Sequence, residues 1–248
     1  MKKCSDVVII GAGASGLLCA ALLVEARREQ KWSGTITILE KNNKIGKKLS
    51  ATGNGRCNFT NLHMTEQCFY GEKSWISSVI QEVTPQDVIG VFRKLGVLHR
   101  EKDGYVYPHT NQAGTVVRSL EQTCRTGMVD IKLECMVKAV HKNNEKSSYE
   151  VVTSQGTIFC QVLVMATGSG ANSETGGDSF VYELVQKLGL SVTPVYPGLT
   201  GLYCGGNWWK QVAGTRVQGS FSLVGFVSSL TSSSISPVHS DITSSIVS

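Results

Sequence analysis

Residues 7–10, Val-Val-Ile-Ile, form an unbroken β-branched run, the pattern of a strand buried on both faces of a parallel sheet. A glycine-rich stretch, residues 11–16, follows at once. Apolar positions at Leu17, Leu18, Ala20, Ala21, Leu22 and Val24 then predict a well-buried helix that turns polar over residues 25–30. Ser33-Gly34 reads as a turn and residues 35–39 as a second strand ending at Glu40. Strand, helix and strand in this order make a β-α-β unit.

From 41 to 61 the periodicity is lost, and glycines at 46, 53 and 55 mark a long loop with room for one short helix. Long irregular loops inside compact domains are usually functional. Helical patterns return at 75–80 and 85–95, a turn-rich DGYVYP stands at 103–108, and another helix is expected at 113–125. Residues 129–160 alternate β-branched and polar positions, broken at Asn143-Asn144 and Gln155-Gly156, which predicts a small antiparallel meander. Residues 162–165 return to a buried-strand pattern and run into Ala166-Thr167-Gly168. Asp178 is expected to cap a helix that reaches Leu188, with Gly189 ending it. Beyond Pro194 the glycines and short apolar stretches up to 227 predict the start of a separate β domain. Serine fills nearly half of residues 228–248, which hold no Lys or Arg, so this tail is expected to lack structure.

Composition adds limits rather than a function. The chain has 248 residues, 41% of them hydrophobic, enough for one large core. A net charge of +5 is modest, and its one local concentration lies between Lys41 and Arg56. That favours an anionic small ligand, with no nucleic-acid partner expected. Eight cysteines occur without a C-x-x-C pair, so no metal site or disulfide framework is expected and a reducing cytoplasm fits. The apolar stretch after Met1-Lys2-Lys3 is interrupted by GAGASG, and no segment approaches the roughly 20 apolar residues of a membrane span.

Chemistry enters at Gly11, Gly13 and Gly16. This G-x-G-x-x-G follows a buried strand, opens a helix and precedes an acidic residue at the end of the second strand, the context of a dinucleotide site. Gly11 allows the tight turn, Gly13 the approach of a pyrophosphate, and Gly16 close helix–strand packing. Free N–H groups at the helix start receive the anion, and Glu40 is placed to accept from ribose hydroxyls. An acid there disfavours NADP without separating NAD from FAD. A strand ending in Ala166-Thr167-Gly168 after a meander favours FAD, because flavoproteins with two dinucleotide sites return to the cofactor domain that way.

The stretch Gly46-Lys47-Lys48, continued by Thr52-Gly53-Asn54-Gly55-Arg56-Cys57-Asn58-Phe59-Thr60-Asn61, resembles the signature of the YhiN/BaiN-like flavoproteins. These bacterial FAD-dependent oxidoreductases are often labelled aminoacetone-oxidase-like. The likeness extends over about residues 5–225. It implies a glutathione-reductase-type, FAD/NAD(P)-binding Rossmann-like α/β domain, with parallel sheet and antiparallel meander, over 1–193. The start of an all-β insertion over 194–227 and the tail 228–248 would follow.

The resemblance implies that Gly11, Gly13, Ala14, Ser15 and Gly16 cradle the pyrophosphate and that Glu40 meets the adenosine ribose, with Lys41 beside them. Lys48 and the loop of Gly53, Asn54, Gly55, Arg56, Cys57 and Asn58 would run along the phosphate and ribityl side toward the flavin. Val137 would meet the adenine, and Ala166, Thr167 and Gly168 would close the site. The lysines and Arg56 form a positive stretch without an internal acid, which suits a diphosphate. Cys57 lacks a resolving thiol, since Leu62 stands where a C-x4-C partner would, and it reads best as a packed cysteine. No catalytic acid is assigned; His109, after Tyr107-Pro108, is the histidine nearest that role.

The implied activity is hydride transfer through FAD, with NAD(P)H or a small organic substrate as donor. Members have been assigned to reduction of dehydro bile acids and to amine oxidation. Members also return, after the insertion, with a second glycine-rich segment that has no counterpart here. A truncated or frameshifted chain is therefore expected, with an inactive or non-catalytic nucleotide-binding fragment as the alternative. An NAD-binding dehydrogenase and a tRNA-modifying flavoprotein are further alternatives.

Overall fold

The computed structural model describes residues 3–145, 147–170, 179–195, 211, 216–220 and 241–245. The chain divides into two units, Met1–Pro197 and Gly198–Ser248. The first unit opens with β1 (Lys3–Ile10), α1 (Ala14–Arg28), β2 (Ile36–Leu39) and α2 (Lys47–Ala51). Then come β3 (Thr60–Asn61), α3 (Lys73–Glu82), α4 (Pro85–Lys94), β4 (His99–Lys102), β5 (Tyr105–Pro108) and α5 (Ala113–Thr126). It closes with β6 (Asp130–Lys132), β7 (Val137–Asn143), β8 (Ser148–Thr153), β9 (Gly156–Met165) and α6 (Phe180–Lys187).

One sheet of order β6-β2-β1-β9-β8-β7 organises this unit. Its first four strands are parallel, and β9, β8 and β7 form the antiparallel meander. The expected double burial of β1 follows from its alternation. Val7 and Ile9 pack with α1 and α5 on one side, and Val8 and Ile10 pack with Val137, Val151 and Leu184 on the other. Fully burying each such side chain contributes about 1.5–3 kcal/mol.

In the first unit three expectations need correction. Residues 130–132 are not meander: β6 pairs in parallel with β2 and extends the central sheet. The segment 103–108 is more than a turn, because Asp103 (φ 53°) and Gly104 (φ 80°) form a left-handed two-residue connection between β4 and β5. Residues 162–165 are not fully buried, and Val162 is 51% exposed. Pairing of β8 with β9 stops at Cys160, so beyond it β9 has only β1 alongside among the described strands.

Helix α4 starts where the sequence allows it. Thr84 and Asp87 satisfy each other's backbone N–H groups in a capping box with Pro85 at the first turn. Helix α6 begins after Ser179 and ends before Gly189, which is left-handed (φ 86°) as expected; Asp178 lies outside the described residues. In the second unit, β10 (Arg216–Ser220) and β11 (Asp241–Ser245) pair antiparallel over five residues. The strand β11 lies in the segment expected to lack structure. A backbone ladder needs no apolar core, and Ile242 and Thr243 are β-branched. The rest of that segment lies outside the described residues.

Candidate functional site

The C-terminal ends of β1 and β2, the start of α1, α2, the start of β7, the segment after β9 and α6 enclose a cleft of about 700 Å³. This is where open α/β sheets bind ligands.

Gly11 (φ 104°) turns the chain off β1, and a Cβ there would stand 2.4 Å from the Ala166 carbonyl oxygen. At Gly16 a Cβ would come within 1.9 Å of the Gly11 carbonyl oxygen, so α1 packs against the turn only because this residue has none. Gly13 differs, since a Cβ there meets nothing within 4 Å. It caps α1 without a side-chain hydrogen bond. The first intrahelical bond runs from Leu17 N–H to the Gly13 carbonyl. The N–H groups of Ala14, Ser15 and Gly16 therefore project from the helix end, where the macrodipole favours an anion.

Glu40 is 7% exposed and its carboxylate braces this turn. Ala12 N–H donates to Oε2 at 2.8 Å, and Asn42 donates to Oε1 through its backbone N–H (2.8 Å) and side-chain amide (2.6 Å). Two oxygens offer about four acceptor positions, so one remains on Oε2. The Glu40 backbone is clamped as well: its N–H donates to the Lys132 carbonyl, and its carbonyl accepts from Cys135 N–H. That ties the end of β2 to the segment leading into β7.

Among the described residues four lysines line the cleft: Lys41, Lys47, Lys48 and Lys138. The last was not legible in the sequence, because consecutive strand residues normally point to opposite faces. A register shift between Val137 and Ala139 breaks that alternation, and Val137 and Lys138 both reach the cleft. Phe180, Val181 and Leu184 of α6 add an apolar wall that sequence reasoning also missed. An apolar helix face does not reveal which cavity it faces.

Of the expected residues, Gly11, Gly13, Ala14, Ser15, Glu40, Lys41, Lys48, Val137, Ala166, Thr167 and Gly168 line the cleft. Gly16 lies buried beneath it. The loop from Gly53 to Asn58 does not line it among the described residues; the preceding Thr52 does. The reason is local: Gly53, Asn54, Gly55 and Cys57 all have φ between 55° and 79°. This run turns the chain back so that Cys57 N–H donates to the Thr52 carbonyl and Ala113 N–H to the Gly55 carbonyl. Non-glycine residues rarely adopt this conformation, so the surrounding packing holds them in it. The Arg56 guanidinium carbon sits 5.3 Å from the centre of the Tyr107 ring, and Arg56 Nε donates to the Gly53 carbonyl. Cys57 is 1% exposed in the core, and burial pushes its thiol up to about 11. It is a packed thiol, not a cleft group. Asn58 Nδ2 is buried without a hydrogen-bond partner among the described residues. His109 is exposed and is not part of the cleft.

Among the described residues no group of three or more His, Cys, Asp or Glu is placed to hold a metal. No described helix is long and apolar enough to cross a membrane.

A profile of the HI0933-like protein Rossmann domain matches residues 5–232. The 3-dehydro-bile acid delta(4,6)-reductase of Clostridium scindens is 33% identical over 210 residues, covering 84% of this chain and 50% of that protein. The ribosomal RNA dihydrouridine synthase of Escherichia coli is 30% identical over 195 residues, covering 78% of this chain and 47% of that one. The chain thus spans about half the length of the curated relatives it matches. Among solved structures, the 3-ketosteroid-delta4-(5alpha)-dehydrogenase of Rhodococcus jostii RHA1 superposes with a TM-score of 0.51 at 12% identity. It covers 69% of this chain and 47% of that one, a likeness of fold. The resemblance drawn from residues 46–61 is borne out. The presence of a ribosomal RNA enzyme among the relatives removes the ground for expecting no nucleic-acid partner.

Proposed function

The chain belongs to the HI0933-like Rossmann-domain family, and from that premise we propose that it is the FAD-binding part of an FAD-dependent oxidoreductase. One observation carries the proposal: an uncapped helix start, a buried carboxylate with one unused acceptor position, and four lysines converge on a single cleft. A dinucleotide needs all three, a dianionic centre between two polar sugars.

The open side of Gly13 leaves the room that a pyrophosphate requires, and a Cβ would fill it. The N–H groups of Ala14, Ser15 and Gly16 receive its oxygens, and Lys47 and Lys48 supply countercharge. Glu40 Oε2 accepts from a ribose hydroxyl while still bracing Ala12. Val137 and Lys138 would meet the adenine, and Ala166, Thr167 and Gly168 would close the site. The turn from Gly53 to Asn58, with Arg56 fixed on Tyr107, would brace Thr52 at the cleft from behind. Cys57 contributes packing alone.

When bound, the flavin supplies the hydride acceptor and donor that no side chain provides. The two relatives' names, a delta(4,6)-reductase and a dihydrouridine synthase, both describe adding hydrogen to an unsaturated substrate. We therefore assign this chain to reduction of an unsaturated compound, with NAD(P)H as electron donor. The seven described cysteines are all free, which supports a reducing, cytoplasmic compartment. Residues 1–193 are the cofactor domain in this proposal, and 194–227 begin an inserted β domain.

The test is the visible spectrum and the mass of the cofactor released from purified protein. Oxidised-flavin bands and the mass of FAD support the proposal; colourless protein that takes up no FAD on reconstitution overturns it. Bleaching by NADH or NADPH without air then distinguishes a working oxidoreductase from a non-catalytic nucleotide-binding fragment.

A further inference from the structure

We propose that the outward face of the small β3-β5-β4 sheet is a docking surface for single-stranded nucleic acid. None of the residues it uses lines the cleft, although Arg56 and Tyr107 also brace the turn behind it. Along β5, Val106 and Pro108 are buried, so Tyr105 and Tyr107 project to the other side. They stand two strand residues, about 7 Å, apart. Tyr105 is 50% exposed.

The register puts Lys102 opposite Tyr105 and Arg100 opposite Tyr107, both exposed, and Asn61 on the far side of Tyr105. Arg56 adds a third cation over Tyr107. Among the described residues neither Arg100 nor Lys102 makes a side-chain hydrogen bond or ion pair. The neighbouring acids are Glu101, whose carboxylate accepts from Gly104 N–H at 2.6 Å, and Asp103 in the turn.

Two tyrosines on an open sheet, flanked by three cations, match what a single strand presents. Unstacked bases lie on aromatic rings while phosphates meet Lys and Arg at the sides. An acidic peptide would use the cations but not the paired rings. A duplex hides the base faces that the rings would meet.

The experiment is fluorescence anisotropy of the 248-residue protein with labelled oligouridylate and oligodeoxythymidylate of about ten nucleotides, at about 50 and about 200 mM salt. Binding of either oligomer, weaker at the higher salt, is expected, and the tighter one names the ligand. Tyr105→Ala should weaken binding roughly tenfold, while Tyr105→Phe, which keeps the ring, stays within about twofold. Arg100→Ala with Lys102→Ala should lower the salt slope by about 1.4, near 0.7 per lost phosphate contact. The pair Arg93→Ala and Lys94→Ala, exposed at the end of α4, should leave binding unchanged. The substituted positions, Tyr105, Arg100, Lys102, Arg93 and Lys94, are all exposed, and a thermal melt verifies that each variant is folded.

No binding by folded parent protein overturns the proposal. So does equal binding by the Tyr105→Ala variant, equal affinity for duplex, or displacement by polyglutamate as efficient as by unlabelled oligomer. Flavin absorbance read on the same samples separates this outcome from the fate of the cofactor proposal.

Discussion

Glu40 Oε2 accepts from the backbone N–H of Ala12 at 2.8 Å, across 28 residues of sequence, and so locks the glycine turn to the end of β2. The carboxylate placed for a ribose is thus also a strut of the apo site. Glu40→Gln keeps one acceptor oxygen, but its NH₂ must face either Ala12 N–H or the two donors of Asn42. Leaving such a buried donor unpaired costs about 1–3 kcal/mol, which for a protein of this size lowers Tm by roughly 2–4 °C per kcal/mol. A thermal melt of cofactor-free protein checks this, and an unchanged Tm would remove the strut role.

Gly13 and Gly16 are expected to part company on substitution. Gly16→Ala drives a Cβ into the Gly11 carbonyl, and overpacking against backbone costs at least about 1–3 kcal/mol. Gly13→Ala meets open space, and its φ of −80° suits alanine. Its stability cost should stay below about 1 kcal/mol. Its FAD affinity should nevertheless fall by about tenfold or more, each tenfold being about 1.4 kcal/mol. Paired thermal melts and FAD titrations separate the two.

Lys138 reaches the cleft through the bulge after Val137. Lys138→Gln should weaken FAD binding a few-fold at low salt and by less at about 1 M, where the screening length is about 3 Å. Titration at the two salt concentrations measures the difference; an equal loss at both would mean that Lys138 acts through packing.

The cysteines should differ in reactivity. Exposed Cys68 is held below the ordinary thiol value by hydrogen bonds from Thr65, whereas burial pushes Cys57, Cys124 and Cys160 up to about 11. Iodoacetamide with mass-spectrometric readout should label Cys68 first and those three last. Rapid labelling of Cys57 would reinstate it as a reactive thiol.

The same three buried thiols fix a direction for alkaline stability. In the unfolded chain they ionise near the ordinary value of 9.0, and in the folded protein only near 11. A raised folded value means that the unfolded state releases protons first, so stability is intact below about pH 9 and falls between about 9 and 11. Urea midpoints across that window measure the loss, and replacing Cys57 by Ser should flatten part of it.

The sequence by itself determined the β-α-β unit, the glycine turn, the acid at the end of β2 and the family signature. Each is a local pattern: β-branched runs pack on both faces, glycines admit a turn that a Cβ would block, and Glu40 ends a strand adjacent to that turn. It did not reveal that β6 joins the parallel sheet, because a three-residue strand looks the same whichever partner it finds. It missed Lys138, since a bulge is decided by pairing with β8 and leaves no mark on alternation. It placed residues 53–58 along the cofactor by family pattern, and only the structure shows that four left-handed residues there direct the turn toward Tyr107 and Ala113, behind the described lining of the cleft. Only the tertiary structure decided which residues share the cleft, because strand pairing, bulges and backbone reversals bring distant positions together, and one-dimensional periodicity carries no record of that.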